Sequence, residues 1–490
     1  METTSIRVQK SSRLPQELID LIVDELKEDV TSLRACALTS QCFRRPSQRT
    51  LFHCTKLHPL PPDRELEVQS SSNTTDSNSE ESRHRPSVCD RLHLLLQSSP
   101  HIAPYIRDLR IRDTENEEHP SKSWLTKINS LPLILPLLTQ LQRIYIAGSM
   151  SESLLDIGKV PEETKKALFM AMRSSKITHI GFQCVQFPNF EELLEAIGKA
   201  GWGGSLKNLT LFAVDVAQDE ESSDSDDSET KGTVIETKKR VKKLDVVTDT
   251  DGRTNAEKSR LSSLALFMGP SLSTALSDWM LGSESSYSLD SLNKFSLVAE
   301  MTHELSLAKR VVAASKGSLK EINITIVEGE EDYDDTLDLS APRVVYFGLD
   351  ISSSNPYSCQ PVLNWWCTSL ESSQNCSSQT DSLEVFNIFI LTELMDITHF
   401  HYTAPGWERL DELLSKRGEG QGDGNEKQVQ MNVRLKLLDE EDDDQKEDPV
   451  VPPELLDRLR DAFPLMKAKG RLEVSQMTES LFCFLGVYWQ

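Results

Sequence analysis

Apolar residues recur along the chain in a triplet, whose second and third members lie three and five positions after the first. The triplets are Ile106/Leu109/Ile111, Leu141/Ile144/Ile146, Ile177/Ile180/Phe182, Leu206/Leu209/Leu211, Leu292/Phe295/Leu297, Leu319/Ile322/Ile324 and Leu383/Phe386/Ile388, with weaker copies at Leu261/Leu264/Leu266 and near 344–347. The last two members are spaced like residues on one face of a β-strand. The first members are 35, 36, 29, 86, 27 and 64 residues apart, and the two longest intervals are close to multiples of about 30 residues. The pattern predicts a strand repeated at a nearly constant period.

Segments with apolar residues at helical steps lie between the predicted strands. They are 161–173, 189–199, 303–314 and 453–463. Strands and helices that alternate at a fixed period describe a solenoid, whose units bury their apolar faces only by stacking on each other. The pattern resembles an irregular leucine-rich repeat with units longer than the usual length of about 20–29 residues. Two alternatives stay open: chance matches of common Leu and Ile residues, and a doubly wound α/β domain. The absence of a Gly-rich strand-to-helix turn from the sequence weighs against a nucleotide-binding domain.

The segment 12–58 has a helical pattern instead. Pro15 suits the first turn of a helix, where its missing N–H costs nothing, and it biases Leu14 to an extended conformation. From Leu18 to Leu26 the apolar residues cover an arc of roughly 200° on a helix. Because this arc is wider than one core-facing stripe, we expect one side to pack inside the module and the other to bind a partner.

Two further helices are expected in this segment. Thr31 or Ser32 is the candidate cap of the second helix. A third, short helix over 39–44 is expected to end before Pro46, which interrupts helical hydrogen bonding. The segment therefore predicts a small module of three helices.

A motif runs through these three predicted helices. Its residues are Leu14-Pro15-x-Glu17-Leu18-Ile19, followed by Leu33, Cys36, Leu38, Ser40 and Phe43. The motif resembles an F-box, and its spacing is most similar to fungal versions. In that family a three-helix module binds a Skp-type adaptor of a cullin–RING ubiquitin ligase. The resemblance implies that the adaptor interface is built or touched by Leu14, Pro15, Leu18, Ile19, Ile22, Leu33, Cys36, Ser40 and Phe43. Phe43 stands where Trp is frequent in the family, and the position stays large and apolar.

The resemblance covers only the segment 14–52, about a tenth of the 490 residues. It implies a substrate-recognition subunit of a Skp–cullin–F-box ubiquitin ligase, with the motif on the adaptor and a target protein on the repeat region. Two alternatives stay open: a scaffold whose motif binds the adaptor without recruiting ubiquitin machinery, and a repeat protein whose first helices only close the solenoid. In the first hypothesis partner proteins supply the chemistry, so the chain is not expected to be an enzyme or to need a cofactor.

Charge narrows the class of partner. The chain has 53 Lys and Arg against 77 Asp and Glu, a net charge of −24, which repels nucleic acid and anionic membranes. Much of the acidic charge lies in the runs 217–229, 328–338 and 439–448. No stretch reaches the roughly 18 apolar residues of a membrane span, and the segment before Leu14 has no apolar signal-peptide core. We therefore expect a protein of the cytoplasm, the nucleus or both.

Four polar stretches have too few apolar residues to offset the entropy of ordering them. These predicted disordered linkers are 67–87, 217–260, 416–428 and 439–450. The predicted fold class is α+β: a three-helix F-box module at 12–58, then an irregular leucine-rich-repeat-like α/β solenoid over 88–216 and 261–490. Within the second linker, the basic run 238–243 is typical of a nuclear-import signal or of local neutralisation of the acidic residues before it.

Cysteine and histidine usage gives no strong metal or catalytic pattern. None of the nine cysteines forms a C-x-x-C pair, which favours reduced thiols. His399 and His401 lie near Asp396, but alternation along a strand explains their spacing and no second ligand pair accompanies them. No G-x-S-x-G or H-E-x-x-H motif occurs. We expect no metal site and no catalytic residues.

Residues between the apolar strand positions are predicted to point to the opposite face of each strand. In the first four triplets and just after them, these residues are Arg110, Arg112, Arg143, Tyr145, His179, Gln183, Asn208 and Phe212. Arg and aromatic residues are enriched at interface hot spots. An Arg-bearing face on an acidic chain would favour an acidic or phosphorylated target segment. The alternative is that these are ordinary solvated strand residues.

Overall fold

A computed structural model describes the chain in separate segments. They are 14–59, 86–113, 123–149, 154–198, 205–217, 258–283, 285–300, 302–327, 333, 336–350, 359–375, 382–393, 405–417, 428–438 and 450–477. The predicted linkers 67–87, 217–260, 416–428 and 439–450 lie mostly outside these segments, and the basic run 238–243 and the residues 396–401 lie wholly outside them. The predictions for these stretches therefore stay predictions.

Three helices open the described chain, and strands and helices then alternate. The first three helices are α1 (Gln16–Glu25), α2 (Val30–Thr39) and α3 (Gln41–Leu51). The strands are β1 (Cys54–Leu57), β2 (Asp108–Arg112), β3 (Arg143–Ala147), β4 (Leu155–Asp156), β5 (His179–Phe187), β6 (Asn208–Val216), β7 (Ser259–Arg260), β8 (Ser263–Met268), β9 (Tyr287–Ser288), β10 (Lys294–Ala299), β11 (Glu321–Ile326), β12 (Val344–Asp350), β13 (Val385–Glu393), β14 (Gln430–Leu438) and β15 (Leu472–Gln476). The later helices are α4 (Val88–Ser98), α5 (Leu131–Ile134), α6 (Glu162–Met172), α7 (Phe190–Ile197), α8 (Pro270–Leu281), α9 (Thr302–Ala314), α10 (Cys359–Asn375), α11 (Pro405–Lys416), α12 (Pro453–Asp461) and α13 (Pro464–Ala468). The four helices predicted between the strands correspond to α6, α7, α9 and α12. Within the described segments, none of these helices is both long and apolar enough to cross a membrane.

One parallel sheet of 13 strands organises the chain after the first helices. Its strand order is β1-β2-β3-β5-β6-β8-β10-β11-β12-β13-β14-β15, with β4 beside β5, while β7 and β9 form a separate pair. Along this path the strands follow one another across the sheet in the order in which they occur in the sequence. Because parallel neighbours need a crossover connection, the helices between the strands return the chain to the starting end of the sheet. The prediction that the body is a mixed α/β structure is therefore confirmed.

The apolar triplets set the register of the sheet. Leu109 pairs with Ile144 on the next strand, and the corresponding triplet residues continue this row through β13. Every member of the seven full triplets is at most 3% exposed, and these residues pack with the helices into one core. The prediction of strands at these positions is confirmed. Leu57, Val433 and Val474 extend the same rows into β1, β14 and β15, which no full triplet marks.

A repeated hydrogen-bond pattern marks the edge of the sheet where the strands begin. The carbonyl oxygen of the residue before a strand accepts two N–H groups from the next repeat, with N···O distances of 2.7–3.1 Å. The accepting residues are His53, Arg107, Gln142, Thr178, Lys207, Ser262, Asn293, Lys320 and Arg343. We call this line the amino-terminal edge. Because neighbouring strands are about 4.8 Å apart, consecutive residues along it lie at about that spacing.

Helix α3 leads directly into this sheet. Only Phe52 and His53 separate the end of α3 from Cys54, the first residue of β1. The His53 carbonyl oxygen is already the first acceptor of the amino-terminal edge. Helix α3 also contacts the short turn of 3-10 helix at Pro100–Tyr105, which follows α4. The segment 12–58, which we predicted as a separate helical module, therefore also contains the first strand of the sheet.

Two local predictions were wrong. Helix α3 continues through Pro46 to Leu51 instead of ending before it. Proline removes one hydrogen bond from a helix interior, and here the packing of α3 against both α1 and α2 outweighs that loss. Ser259 and Arg260, which we assigned to the linker 217–260, form β7, and Ser259 is only 1% exposed.

Candidate functional site

The first candidate surface is on the three N-terminal helices, which we call the helical module (residues 14–51). Helices α1 and α2 both pack against α3. The Pro15 carbonyl oxygen accepts the N–H groups of Leu18 and Ile19, with N···O distances of 3.2 and 3.3 Å. Helix α1 therefore begins at Gln16 with Pro15 as its cap, one residue later than the first-turn position predicted for Pro15.

Side-chain caps fix where the other two helices begin. Asp29 accepts the N–H of Ser32 at 3.0 Å, so the cap of α2 is Asp29, and the expectation of Thr31 or Ser32 was wrong. A carboxylate is favoured at this position because it faces the positive end of the helix dipole. Ser40 caps α3 by accepting the N–H of Cys42 at 3.4 Å. The motif residue Ser40 thus has a local role in ordering the module.

The wide apolar arc of α1 divides into a buried half and an exposed half. Ile19 and Val23 are 3% and 1% exposed. Leu18, Leu21 and Ile22 are 45%, 59% and 42% exposed. The module therefore covers one side of the arc and leaves the other side in solvent, which is the division that the width of the arc predicted.

The nine residues assigned to the adaptor interface separate in the same way. Leu14, Pro15, Leu18 and Ile22 are exposed, Ile19 and Leu33 are buried, and Cys36, Ser40 and Phe43 are half-buried. Buried positions hold the three helices together, so their effect on binding is indirect. The four exposed positions are the ones available to a partner.

Three exposed apolar residues were absent from that assignment. Leu21, Val30 and Leu38 are 59%, 47% and 83% exposed. The sequence carried a signal for two of them, because Leu21 lies in the α1 arc and Leu38 belongs to the motif. The apolar surface of the helical module is therefore Leu14, Leu18, Leu21 and Ile22 at α1, with Val30 and Leu38 on α2.

The second candidate surface is the face of the sheet opposite the apolar triplets, which we call the second face. On β2, the Arg110 Nη2 atom lies 3.0 Å from Asp108 Oδ2, and Arg110 is only 7% exposed. The Arg110 guanidinium lies 5.6 Å from the centre of the Tyr145 ring on β3. Gly181, the next residue in this row, leaves room for that ring, because a Cβ atom there would overlap it. Asp108 neutralises Arg110, and the three side chains form a packed unit.

His179 continues the polar row on β5 with hydrogen bonds at both ring nitrogens. The Thr178 hydroxyl donates to the Gln142 carbonyl oxygen, so it accepts from His179 Nδ1 at 2.7 Å. His179 Nε2 then accepts from the Asn208 amide at 2.6 Å. Burial and the neighbouring charge of Arg143 lower the pKa of His179 to about 4. The ring is therefore neutral at pH 7 and acts as a structural link between strands.

The predicted target-binding residues are thus not equally accessible. Arg110, Gln183 and Phe212 are 7%, 7% and 4% exposed, and for them the expectation of solvent exposure was wrong. Rows of neighbouring strands lie about 4.8 Å apart, so large side chains in one row bury each other. Arg112 and Arg143 are exposed as expected. Of the arginines on this face of the first strands, these two are open to a partner.

The second face of the later strands is lined by amides and aromatic rings. The Asn432 amide donates to Asn387 Oδ1 at 2.9 Å, and the Asn387 amide donates to the Val345 carbonyl oxygen at 3.3 Å. The rings of Tyr346 and Phe389 stack with their centres 5.8 Å apart. These side chains mainly bind one another. The accessible arginines of this face therefore belong mostly to its first strands.

Within the described segments, no group of three or more His, Cys, Asp or Glu side chains is arranged to hold a metal ion. A scan against protein-family models gave no matching family, and a search of curated proteins gave no match. The two surfaces are therefore interpreted from their own residues.

Proposed function

We propose that this chain is the substrate-recognition subunit of a Skp–cullin–F-box ubiquitin ligase. In this function the helical module binds a Skp-type adaptor, and the body built on the parallel sheet holds a target protein. The observation that carries the proposal is the exposed apolar half of α1, which lies on residues of the F-box-like motif.

The geometry of α1 supports docking of this helix into a groove. Leu18, Leu21 and Ile22 have the i, i+3, i+4 spacing of anchors that enter an apolar groove on a partner. Fully burying one such side chain contributes about 1.5–3 kcal/mol, so these three side chains can supply much of the binding free energy of a complex. Leu14, four residues before Leu18, extends the same row.

The sheet supports a solenoid of the leucine-rich-repeat type as the target-binding body. Its strands follow one another in sequence order, and the apolar triplets stack in register from one repeat to the next. Repeat bodies of this kind offer long surfaces made by equivalent positions of successive units. Ubiquitin transfer then depends on proximity, because a target held beside the ligase presents its lysines at a high effective concentration.

The test is co-purification of adaptor and cullin with the full chain. We expect both to be recovered with the native chain and neither with the double variant Leu18→Glu, Ile22→Glu, because the charges cannot enter an apolar groove. The matched control is Leu94→Glu, Leu133→Glu, which changes two leucines of α4 and α5 that are 57% and 54% exposed. This control should retain both partners.

Two outcomes would count against the proposal. Undiminished adaptor recovery with the Leu18, Ile22 variant, folded by circular dichroism, would remove the helical module as the docking surface. Recovery of adaptor without cullin by the native chain would instead favour a scaffold outside the ubiquitin machinery.

A further inference from the structure

Four cations collect where the first strands of the sheet begin. They are Arg49 in the last turn of α3, Arg107 before β2, Arg143 at the start of β3 and Lys207 before β6. Arg107 is half-buried and the other three are exposed. Within the described segments none of the four forms an ion pair with a carboxylate, and Asp108, which follows Arg107, is engaged by Arg110. These positive charges are therefore available to a partner.

Backbone hydrogen bonds hold Arg107, Arg143 and Lys207 on the amino-terminal edge, and Arg49 lies in α3 four residues before His53. The Arg107 N–H donates to the His53 carbonyl oxygen at 3.1 Å, and the Arg143 N–H donates to the Arg107 carbonyl oxygen at 2.9 Å. The Lys207 N–H donates to the Thr178 carbonyl oxygen at 2.9 Å. The path β1-β2-β3-β5-β6 contains four intervals between strands, so this part of the edge is about 19 Å long.

Two histidines lie within the field of these cations. Burial lowers the pKa of His53, the charge of Asp108 opposes this shift, and the charges of Arg107, Arg143 and Arg49 add to it. Burial and the charge of Arg143 have the same effect on His179, two strands away from β2. Arg143 therefore lies close enough to both histidines to join the charge near α3 to the charge on the later strands.

The same edge is balanced in charge farther along the sheet. Lys294 forms an ion pair with Glu321 on the next strand, with an N···O distance of 2.5 Å. Lys320 and Arg343 alternate with Glu321 and Glu384 at the starts of successive strands. The unbalanced positive stretch is therefore a local feature of a chain whose net charge is −24.

The acidic runs of this chain begin at the opposite ends of the strands. The run 217–229 follows β6, the run 328–338 follows β11 closely, and the run 439–448 follows β14. The two ends of the nine-residue strand β6 are about 30 Å apart. The acidic runs therefore do not begin beside the basic residues of the amino-terminal edge.

We infer that the basic edge, defined as Arg49, Arg107, Arg143 and Lys207, binds an extended acidic segment of the target protein. A length of about 19 Å fits about six residues of extended chain. Arginine forks bind carboxylates through two parallel hydrogen bonds. Cations spread along an edge match carboxylates spread along a peptide, whereas a single phosphate needs cations that converge on one point. The identity of the partner as a ligase target rests on the proposed function, but the binding of an acidic segment does not.

The probe is a fluorescein-labelled hexaglutamate peptide, and the measurement is its fluorescence anisotropy with the full chain at low salt. We expect saturable binding by the native chain. The variant Arg107→Gln, Arg143→Gln, Lys207→Gln should raise the Kd roughly tenfold or more, because it removes three of the four contacts.

A control with the same change in charge separates local contacts from the overall field. It is Lys258→Gln, Lys320→Gln, Arg343→Gln, in which all three residues are exposed and lie outside the basic edge. The control should keep the native Kd within about twofold, since distant exposed charges are screened by solvent and salt.

Four results would overturn the inference. They are no measurable binding of hexaglutamate by the native chain, equal losses in the variant and the control, tighter binding of a single-stranded DNA of equal charge, and tighter binding of a peptide with a single phosphoserine. Measuring adaptor recovery with the same variants distinguishes a failure of this inference from a failure of the proposed function. If the native chain binds hexaglutamate but recovers no adaptor, the proposed function is contradicted and the inference about the basic edge is supported.

Discussion

The helical module and the basic edge meet at Arg49 of α3, yet their other exposed residues have opposite chemistry. The module leaves Leu18 and Leu38 45% and 83% exposed, whereas the edge presents Arg107, Arg143 and Lys207. Apolar contacts gain from water exclusion and respond little to moderate salt, while exposed charges are screened within about 10 Å at 0.1 M ionic strength. The difference implies that the two proposed interfaces can be disabled one at a time.

The contrast has a structural origin. The apolar arc of α1 spans roughly 200°, and the helical module is too small to cover all of it with its own side chains. The sheet buries its apolar triplets under a layer of helices, so it reaches the solvent through residues of its second face and of its edge. The module can therefore gain stability from a partner that covers its leucines, and the sheet is complete without one.

The largest expected effect comes from a matched pair of leucines on α2. Leu33 is 1% exposed and Leu38 is 83% exposed. Leu33→Ala should lower the free energy of unfolding of the module by about 2–5 kcal/mol, because it opens a cavity between the helices. Leu38→Ala should change it by less than about 0.5 kcal/mol. Amide hydrogen exchange across α1–α3 measures both, and equal losses would contradict the division into buried and exposed halves.

A smaller loss is expected from a substitution on the second face. Gly181→Ala would force the Tyr145 ring away from the place it holds beside Arg110. Overpacking of this kind typically costs about 1–3 kcal/mol. The control is Gly317→Ala, where an added Cβ meets no atom within 4 Å. Chemical denaturation measures the difference, and a Gly181 variant as stable as the control would show that this row is not tightly packed.

Salt should separate the two interfaces with an effect of roughly tenfold. Raising the ionic strength from about 0.05 M to about 0.5 M should weaken hexaglutamate binding at the basic edge by at least that factor, because exposed charges become screened. Adaptor binding to the helical module should change by less than about twofold. Anisotropy and adaptor titrations in the same buffers provide the measurement. Equal salt dependence would mean that both interfaces rely on charge.

The smallest expected effect is a dependence of stability on pH. The pKa of His179 in the folded chain is about 4, below its ordinary value of 6.5. As the pH falls below 6.5 the unfolded chain binds a proton that the folded chain refuses, so this stability is complete above pH 6.5 and is lost towards pH 4. We expect a contribution on the order of 1 kcal/mol after allowance for partial exposure. His179→Gln should flatten thermal unfolding midpoints between these limits, and an unchanged pH profile would exclude this role.

The apolar part of the fold could be predicted from the sequence because periodicity reports burial directly. Leu109 and Ile111 are two residues apart, and a strand buried on one face requires that spacing. The division of α1 into a buried half and an exposed half could also be predicted, because its apolar arc is wider than one contact can cover. Strand β15 was missed because Leu472 and Val474 lack the first apolar member of a triplet, a position that Lys469 holds.

The second face was harder to predict because its burial depends on other strands. Phe212 is covered by Phe267, with ring centres 5.0 Å apart, and the 54 residues between them hide this contact in the sequence. Arg110 was different. Asp108 lies two positions earlier, on the same face of the same strand, and that spacing already indicated a neutralised arginine. Arg143 was among the predicted target-binding residues, but Arg107 and Lys207 were missed because residues just before a strand come together only when the register is known.

The direct passage from α3 into β1 has a consequence for target choice. Phe52 and His53 allow little freedom between the helical module and the first strand, so a target on the edge would sit at a set offset from the ligase. Under the proposed function, a fixed distance would then separate the bound segment from the site of ubiquitin transfer. The modified lysine would be the one that lies at this distance from the bound segment. A flexible insertion between Phe52 and Cys54 should leave the binding constant for the adaptor unchanged and spread the modified lysines along the target, which peptide mass spectrometry would record. An unchanged pattern of modified lysines would mean that another part of the complex sets the distance between target and ligase. A short, stiff connection between the helical module and the sheet is what would allow lysines to be selected by distance.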